Sequence, residues 1–241
     1  MKVENLYFSY GHRDILKDIN FNVEDGEIVT VLGVNGVGKS TLMKCLAGVL
    51  RPTKGMIDTN NISINKIGYL SQNIMPNDAL SVFEFVLLGR VGELRLRVSD
   101  EDLDKVWAAL KHVGIVDFAK LYFNELSGGQ QRLVLVAQLL AREPKIMFLD
   151  EPTANLDLKH QKNILELFYK YSKANNIKTV INIHDINHAI KYGDKILVLK
   201  DGKVRFFDDK SKLDIEILEE IFDVDFEIFI NKNREKIIVN Y

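Results

Sequence analysis

One nine-residue stretch narrows the choice of fold more than any other: "GVNGVGKST", residues 33–41. It fits the spacing G-x-x-x-x-G-K-[ST] through Gly33, Gly38, Lys39 and Ser40, with Asn35, Gly36 and Thr41 completing the loop. The apolar run "EIVTVL" precedes it as a strand, and "LMKCLAGVL" follows with a helical pattern. In that frame the glycines let backbone N–H groups wrap phosphate oxygens, and the helix N-terminus adds about half a positive charge. Lys39 supplies a point charge to the outer phosphates, and Ser40 offers a hydroxyl to magnesium. A plain glycine-rich turn needs neither the lysine nor the strand and helix on either side.

A second helix start has the same character. In "ELSGGQQR", residues 125–132, Ser127 and Gln130 have the spacing of a capping box. That explains neither Gly128 nor Gly129, since glycine costs roughly 1 kcal/mol relative to alanine inside a helix. Glycine is used where a backbone must approach something closely, and a capped helix N-terminus is an anion site. This start too is expected to face a phosphate.

Composition removes other classes. With 46% apolar and 27% charged residues and a net charge of −2, the chain reads as globular, with no general attraction to nucleic acid or acidic lipid. The single cysteine, Cys45, excludes an intrachain disulfide and reads as a small buried hydrophobe. No apolar run approaches the about 18 residues needed to span a bilayer, and "MKVENLYFSY" lacks the apolar core of a signal peptide. A cytoplasmic location is expected, with any membrane role exerted through a partner.

Along the chain, "VENLYFSY" and "INFNVEDGEIVTVLG" read as strands, "RPTKG" as a turn and "IGYLSQ" as a short strand. Residues 79–92, 100–113, 130–141 and 158–175 read as helices, the second capped by Ser99 and Asp102 and the third apolar nearly all round. "KIMFLDE" and "KTVINIHD" are apolar runs of the kind found in doubly covered parallel strands. "KILVLKDGKVRFFD" reads as a hairpin turning at Asp-Gly, and residues 211–241 as a helix around "DIEILEEIF" with two short strands. The alternation predicts an α/β fold with a parallel sheet.

Ligands of such sheets gather at the carboxyl ends of the strands. Asp150 ends "IMFLD" as a second magnesium ligand, and Glu151 follows it, placed to polarise a water. Gln72 follows "IGYLS" and His184 follows "TVINI", so four polar groups end three apolar strands beside one phosphate loop. His184 and His188 also stand at i, i+4, a metal-ligand spacing, but no further ligand cluster accompanies them. His12, His112 and His160 read as surface or packing residues.

Taken in this order, the motifs resemble those of the ATP-binding cassette ATPases over about residues 3–205. The resemblance identifies 33–41 as the Walker A loop, 146–150 as the Walker B strand, Glu151 as the catalytic carboxylate and "LSGGQ", 126–130, as the family signature. It makes Gln72 the Q-loop glutamine and a magnesium neighbour, His184 the switch histidine, and "NLD", 155–157, the D-loop containing Asp157. Tyr10, in "FSYG", resembles the aromatic that stacks on adenine. The implied fold is a P-loop NTPase core with an N-terminal antiparallel β subdomain, over 1–72 and 144–210. An inserted α-helical subdomain occupies 73–143 and a tail 211–241. The implied cofactors are ATP and Mg2+. The implied partner is a second copy, head to tail, so that each signature helix meets the other chain's nucleotide.

"SVFEFVLLGR", "FSYG" and the tail further resemble the ATPases of iron-siderophore, haem and cobalamin importers. That implies a peripheral subunit on the cytoplasmic face of the membrane. Integral permease subunits would dock near residues 73–95, with a substrate-binding protein in the complex and no nucleic acid. Importers of molybdate or zinc, a soluble cassette of the iron–sulfur scaffold type, and a regulator without turnover are the alternatives. Intact Glu151 and His184 speak against the last.

Overall fold

The computed structural model describes residues 1–72, 80–93, 97–154, 156–230, 232 and 236–240. The chain opens with β1 (Lys2–Tyr10) and β2 (Arg13–Asn22), antiparallel partners, followed by β3 (Ile28–Leu32) and α1 (Lys39–Leu46). β4 (Lys54–Asp58) returns to pair with β1 and completes a small sheet of order β2-β1-β4. β4 was not expected, because "RPTKG" reads as a turn. Its five residues are exposed or half-buried, so it carries no apolar run to announce itself.

After β5 (Ile67–Leu70) come three helices, α2 (Val82–Leu87), α3 (Asp100–Val113) and α4 (Gly128–Ala141). The helix expected over 79–92 is shorter, with residue 79 outside the described residues. α2 tightens into a 3-10 turn at Leu88–Arg90, where a Cβ on Gly89 would lie 2.2 Å from the Gln138 carbonyl oxygen. That close approach to α4 replaces a regular final turn. The expected Ser99 and Asp102 capping box is present on α3.

The rest of the chain gives β6 (Ile146–Asp150), α5 (Leu158–Ala174), β7 (Lys178–Asn182), α6 (Ile186–Tyr192), β8 (Lys195–Lys200) and β9 (Lys203–Asp209). The main sheet has the order β5-β6-β7-β3-β8-β9, parallel except for β9. β3, β6 and β7 are buried at every position, as unbroken apolar runs demand of strands covered on both faces. One apolar layer joins this sheet to α1 and the β1-containing sheet; a second joins it to α2–α5. Cys45 lies in the first layer, where burial pushes its thiol up to about 11. Asp201 and Gly202, both at positive φ, form the hairpin turn between β8 and β9. Among the described residues, no helix is long and apolar enough to cross a membrane.

The tail forms α7 (Ile215–Phe222) and an antiparallel pair, β10 (Phe226–Ile230) and β11 (Lys236–Asn240). It packs on α6 and on Ile196 and Val198 of β8 as a third apolar cluster. Asn187 straps it down: its Nδ2 donates to the Ile238 carbonyl at 2.9 Å, and its Oδ1 accepts from the Ile238 N–H at 2.8 Å. The side-chain amide thus substitutes for a neighbouring strand. A two-stranded hairpin is marginal alone in water, so this strap and the cluster beneath hold it. Asn187→Ala should raise hydrogen exchange at the Ile238 amide by about tenfold, the loss of one hydrogen bond's protection, and leave β6 unchanged. Amide exchange read by NMR checks this.

Candidate active site

The strand order sets the site. β5, β6, β7 and β3 lie side by side and parallel, so their carboxyl ends open on one rim of the sheet. The loop after β3 is shaped by its glycines. Gly33 has φ +147, and a Cβ there would lie 2.6 Å from the Leu199 carbonyl oxygen. Gly36 has φ +78 with nothing among the described residues within 4 Å of an added Cβ, so none of them covers the loop's outer face. Gly38 caps α1 without a side-chain hydrogen bond, which leaves the first N–H groups of the helix to another acceptor. Asn35 is exposed on the loop, and Thr41 is half-buried in the first turn of α1.

Lys39 is only 5% exposed. Its Nζ donates to the carbonyl oxygens of Gly33, at 2.7 Å, and Val34, at 3.0 Å. Burial lowers the pKa of the amine, while the charges of Glu151 and Asp150 oppose that shift. A desolvated cation bonded only to neutral carbonyls is suited to take up a stronger anionic acceptor.

Asp150 ends β6. Its Oδ1 accepts from Ser40 Oγ at 3.1 Å and from Asn182 Nδ2 at 2.7 Å. Glu151 follows at φ +48, a left-handed conformation that turns the chain sharply after the strand. Its carboxylate lies between two partners, Gln72 Nε2 at 2.7 Å from Oε2 and His184 Nε2 at 2.6 Å from Oε1. All four polar strand ends named from sequence therefore meet at one place beside the phosphate loop.

Ser40 and Asp150 offer a hydroxyl and a carboxylate, hard oxygen donors of the type magnesium takes, and too few to enclose an ion. Among the described residues no group of three or more His, Cys, Asp or Glu is assembled. An ion held here keeps waters and substrate oxygens in its shell, so the residues fit magnesium bound with a nucleotide. His188 lies on α6, with its backbone N–H capped by Asp185 at 2.7 Å.

The second helix start is built as its sequence requires. Ser127 caps α4: its Oγ accepts from the Gln130 N–H at 3.4 Å, while Gln130 Oε1 accepts from the Ser127 N–H at 2.9 Å. Among the described residues, nothing lies within 4 Å of a Cβ placed on Gly128, and only Leu156 Cδ2, at 3.4 Å, is near one on Gly129. The glycine face is therefore open to an approaching group. Asp157 caps α5, accepting from the His160 N–H and ring at 2.9 and 2.8 Å, and these hydrogen bonds hold its carboxyl below the usual range. Asn155, in the same motif, lies outside the described residues. Tyr10 is 51% exposed and forms a T-shaped pair with Phe8, with ring centres 4.8 Å apart.

Arg132 was not singled out from sequence. Its guanidinium, 2% exposed, donates to the carbonyl oxygens of Ser71 at 2.6 Å, Glu151 at 2.8 Å, Pro152 at 3.0 Å and Asp150 at 3.4 Å. Burial brings its pKa down to about 10. From α4 it ties together the chain just before Gln72 and the turn at Glu151. The signal was present: an arginine in the first turns of a helix that is apolar nearly all round needs buried partners. Arg132→Met should leave these carbonyls unpaired and destabilise the fold by about 2–5 kcal/mol. Arg132→Lys should recover less than half, since an ammonium cannot reproduce the planar fork; urea unfolding measures both.

Comparison with known proteins agrees with this geometry. The ABC transporter family matches residues 16–154. The chain is 39% identical to an uncharacterized ABC transporter ATP-binding protein, MJ0089, of Methanocaldococcus jannaschii, across 93% of this chain and 92% of that one. It is 32% identical to the iron(3+)-hydroxamate import ATP-binding protein FhuC of Bacillus subtilis, across 98% and 92%. Relatives at 32% and 34% identity are named for phosphonate import, from a Ruegeria species, and molybdate import, from Haemophilus influenzae; they cover 92% of this chain each, and 94% and 87% of their own lengths. Among solved structures, an inward-facing ABC transporter described as metal-chelate type superposes with TM-score 0.89 at 32% identity, covering 100% of this chain and 96% of the other. The dimeric cassette MJ0796, in a post-hydrolysis state with ADP and phosphate, superposes with TM-score 0.76 at 32% identity, covering 87% and 98%. The chain therefore belongs to the ABC transporter family, as an ATP-hydrolysing, ATP-binding subunit with the P-loop NTPase fold.

Proposed function

We propose that two copies of this chain enclose two ATP molecules and drive import through integral membrane subunits. The observation that carries the reading is the Gln72–Glu151–His184 cluster beside Lys39, Ser40 and Asp150. Lys39 and the N–H groups of residues 33–41 take the phosphates, and Tyr10 stacks on adenine. Ser40, Asp150 and Gln72 hold magnesium, which when bound neutralises charge developing on the phosphates. Glu151 accepts a proton from the attacking water, and His184 orients that carboxylate and the outer phosphate.

The open glycine face of α4 supports the head-to-tail arrangement. Ser127, Gly128, Gly129 and Gln130 of one copy receive the outer phosphate bound to the other, and Asp157 lies at the same interface. Hydrolysis removes the shared group and opens the pair, so chemistry becomes movement.

The importer reading draws on the relatives named for import and on the metal-chelate type neighbour. The cargo is a metal chelate such as an iron-siderophore, haem or cobalamin. Permease subunits dock near residues 73–95, of which 73–79 and 94–95 lie outside the described residues, with a substrate-binding protein completing the complex. The chain then works as a peripheral subunit on the cytoplasmic face, with the core, helical and tail divisions at 1–72 with 144–210, 73–143 and 211–241.

Glu151→Gln should lower turnover by about a hundredfold or more and accumulate an ATP-bound dimer on size exclusion with Mg-ATP. A variant that stays monomeric there overturns the two-copy reading. Ser127→Arg should block that dimer while nucleotide affinity stays within about twofold, because Ser127 serves the other copy's site. Affinity purification from native membranes tests the rest: co-purifying membrane subunits support the importer, and a soluble assembly scaffold in their place supports the other reading.

A further inference from the structure

Asn182 is the last residue of β7, and it pairs in register with Asp150 on β6. It is fully buried, at 0% exposure. Its Nδ2 donates at 2.7 Å to Asp150 Oδ1, the oxygen that also accepts from Ser40. The amide's orientation is fixed chemically, since turning it over would set two oxygens against each other at that distance. Its other end, Oδ1, is buried and accepts no hydrogen bond from the described residues. Buried polar atoms are almost always paired, so an unpaired oxygen here is a cost that the amide's bond to Asp150 has to offset. The strand around it, "KTVIN", is buried throughout, and a valine or isoleucine would serve packing as well.

We infer that Asn182 is a positioning residue of the cation site. Its N–H holds Asp150 Oδ1 toward Ser40, so the carboxylate is already set when magnesium enters with ATP. Magnesium demands near-ideal ligand geometry, so a carboxylate held in place by a buried amide binds it better than one free to turn. Groups that orient ligands in this way set metal affinity by about 10–100-fold. The inference rests on the assignment of Ser40 and Asp150 to magnesium.

The test measures binding of a fluorescent ATP analogue to the whole chain across a magnesium titration. Asn182→Val and Asn182→Ala both remove the N–H that holds Asp150; the first keeps strand propensity and bulk, so one folded variant is enough. The magnesium concentration at half-saturation should rise by about 10–100-fold, while affinity without magnesium changes by less than about twofold. Manganese binding to the nucleotide complex, followed by electron paramagnetic resonance, should weaken in parallel. A folded variant with unchanged magnesium dependence overturns the inference; so does equal weakening with and without the ion, which marks a structural role alone. Asp150→Asn and Ser40→Ala run alongside. If these shift the magnesium dependence and the Asn182 variants do not, only this inference fails. If none shifts it, the assignment of the cation site fails as well.

Discussion

One carboxylate oxygen joins three pieces of the structure. Asp150 Oδ1 receives the Ser40 hydroxyl from α1 and the Asn182 amide from β7 while itself ending β6. The phosphate loop, the strand that follows α4 and the strand that leads to His184 are fixed to one another through it. A charge at 1% exposure is tolerable only with such donors around it. Below, Arg132 does the same for the backbone, taking the carbonyls around Asp150 and Glu151 and the one before Gln72. The polar end of the sheet is rigid from both sides, and that rigidity makes two short side-chain contacts on Glu151 possible.

The charges there are arranged so that each is held by something weaker than a nucleotide. Lys39 rests on two loop carbonyls and is partly desolvated. The N-terminus of α1 has no side-chain cap and no acidic residue in its first turn. Had an aspartate filled that turn, it would have competed with phosphate for the same N–H groups. The signature helix is treated differently: Gln130 and Ser127 close a capping box, while the two glycines beside it stay uncovered. The box sets the direction of the helix, and the glycines keep its approach clear.

Much of this was legible in the residues because the physical demands are local. A phosphate loop needs its glycines and lysine at fixed spacing, and a doubly covered strand needs an unbroken apolar run; residues 33–41 and 146–150 satisfy both. The side-by-side order of β5, β6, β7 and β3, which brings their polar ends together, is seen only in the structure. What could not be read depends on distant partners. β4 is a short exposed edge defined only by pairing with β1. Arg132 finds its acceptors 61 and 18–20 positions away, and Asn182 finds Asp150 at a separation of 32. In both cases the type of residue was informative, a polar group in an apolar run, but the partner was not.

The tail extends the same logic to a part of the chain beyond the sheet's rim. α6 begins directly after His184 and Asp185, and the third residue after His184, Asn187, pairs with β11 through both of its polar ends. Helix position and hairpin position are therefore one variable. The apolar cluster of Ile196, Val198, Leu218, Ile221 and Phe226 fixes α7 and the start of the hairpin against β8, and β8 lies beside β3, the strand that launches the phosphate loop. The sheet thus sets His184 through β7 and α6 directly after it, and α6 in turn sets the tail through Asn187.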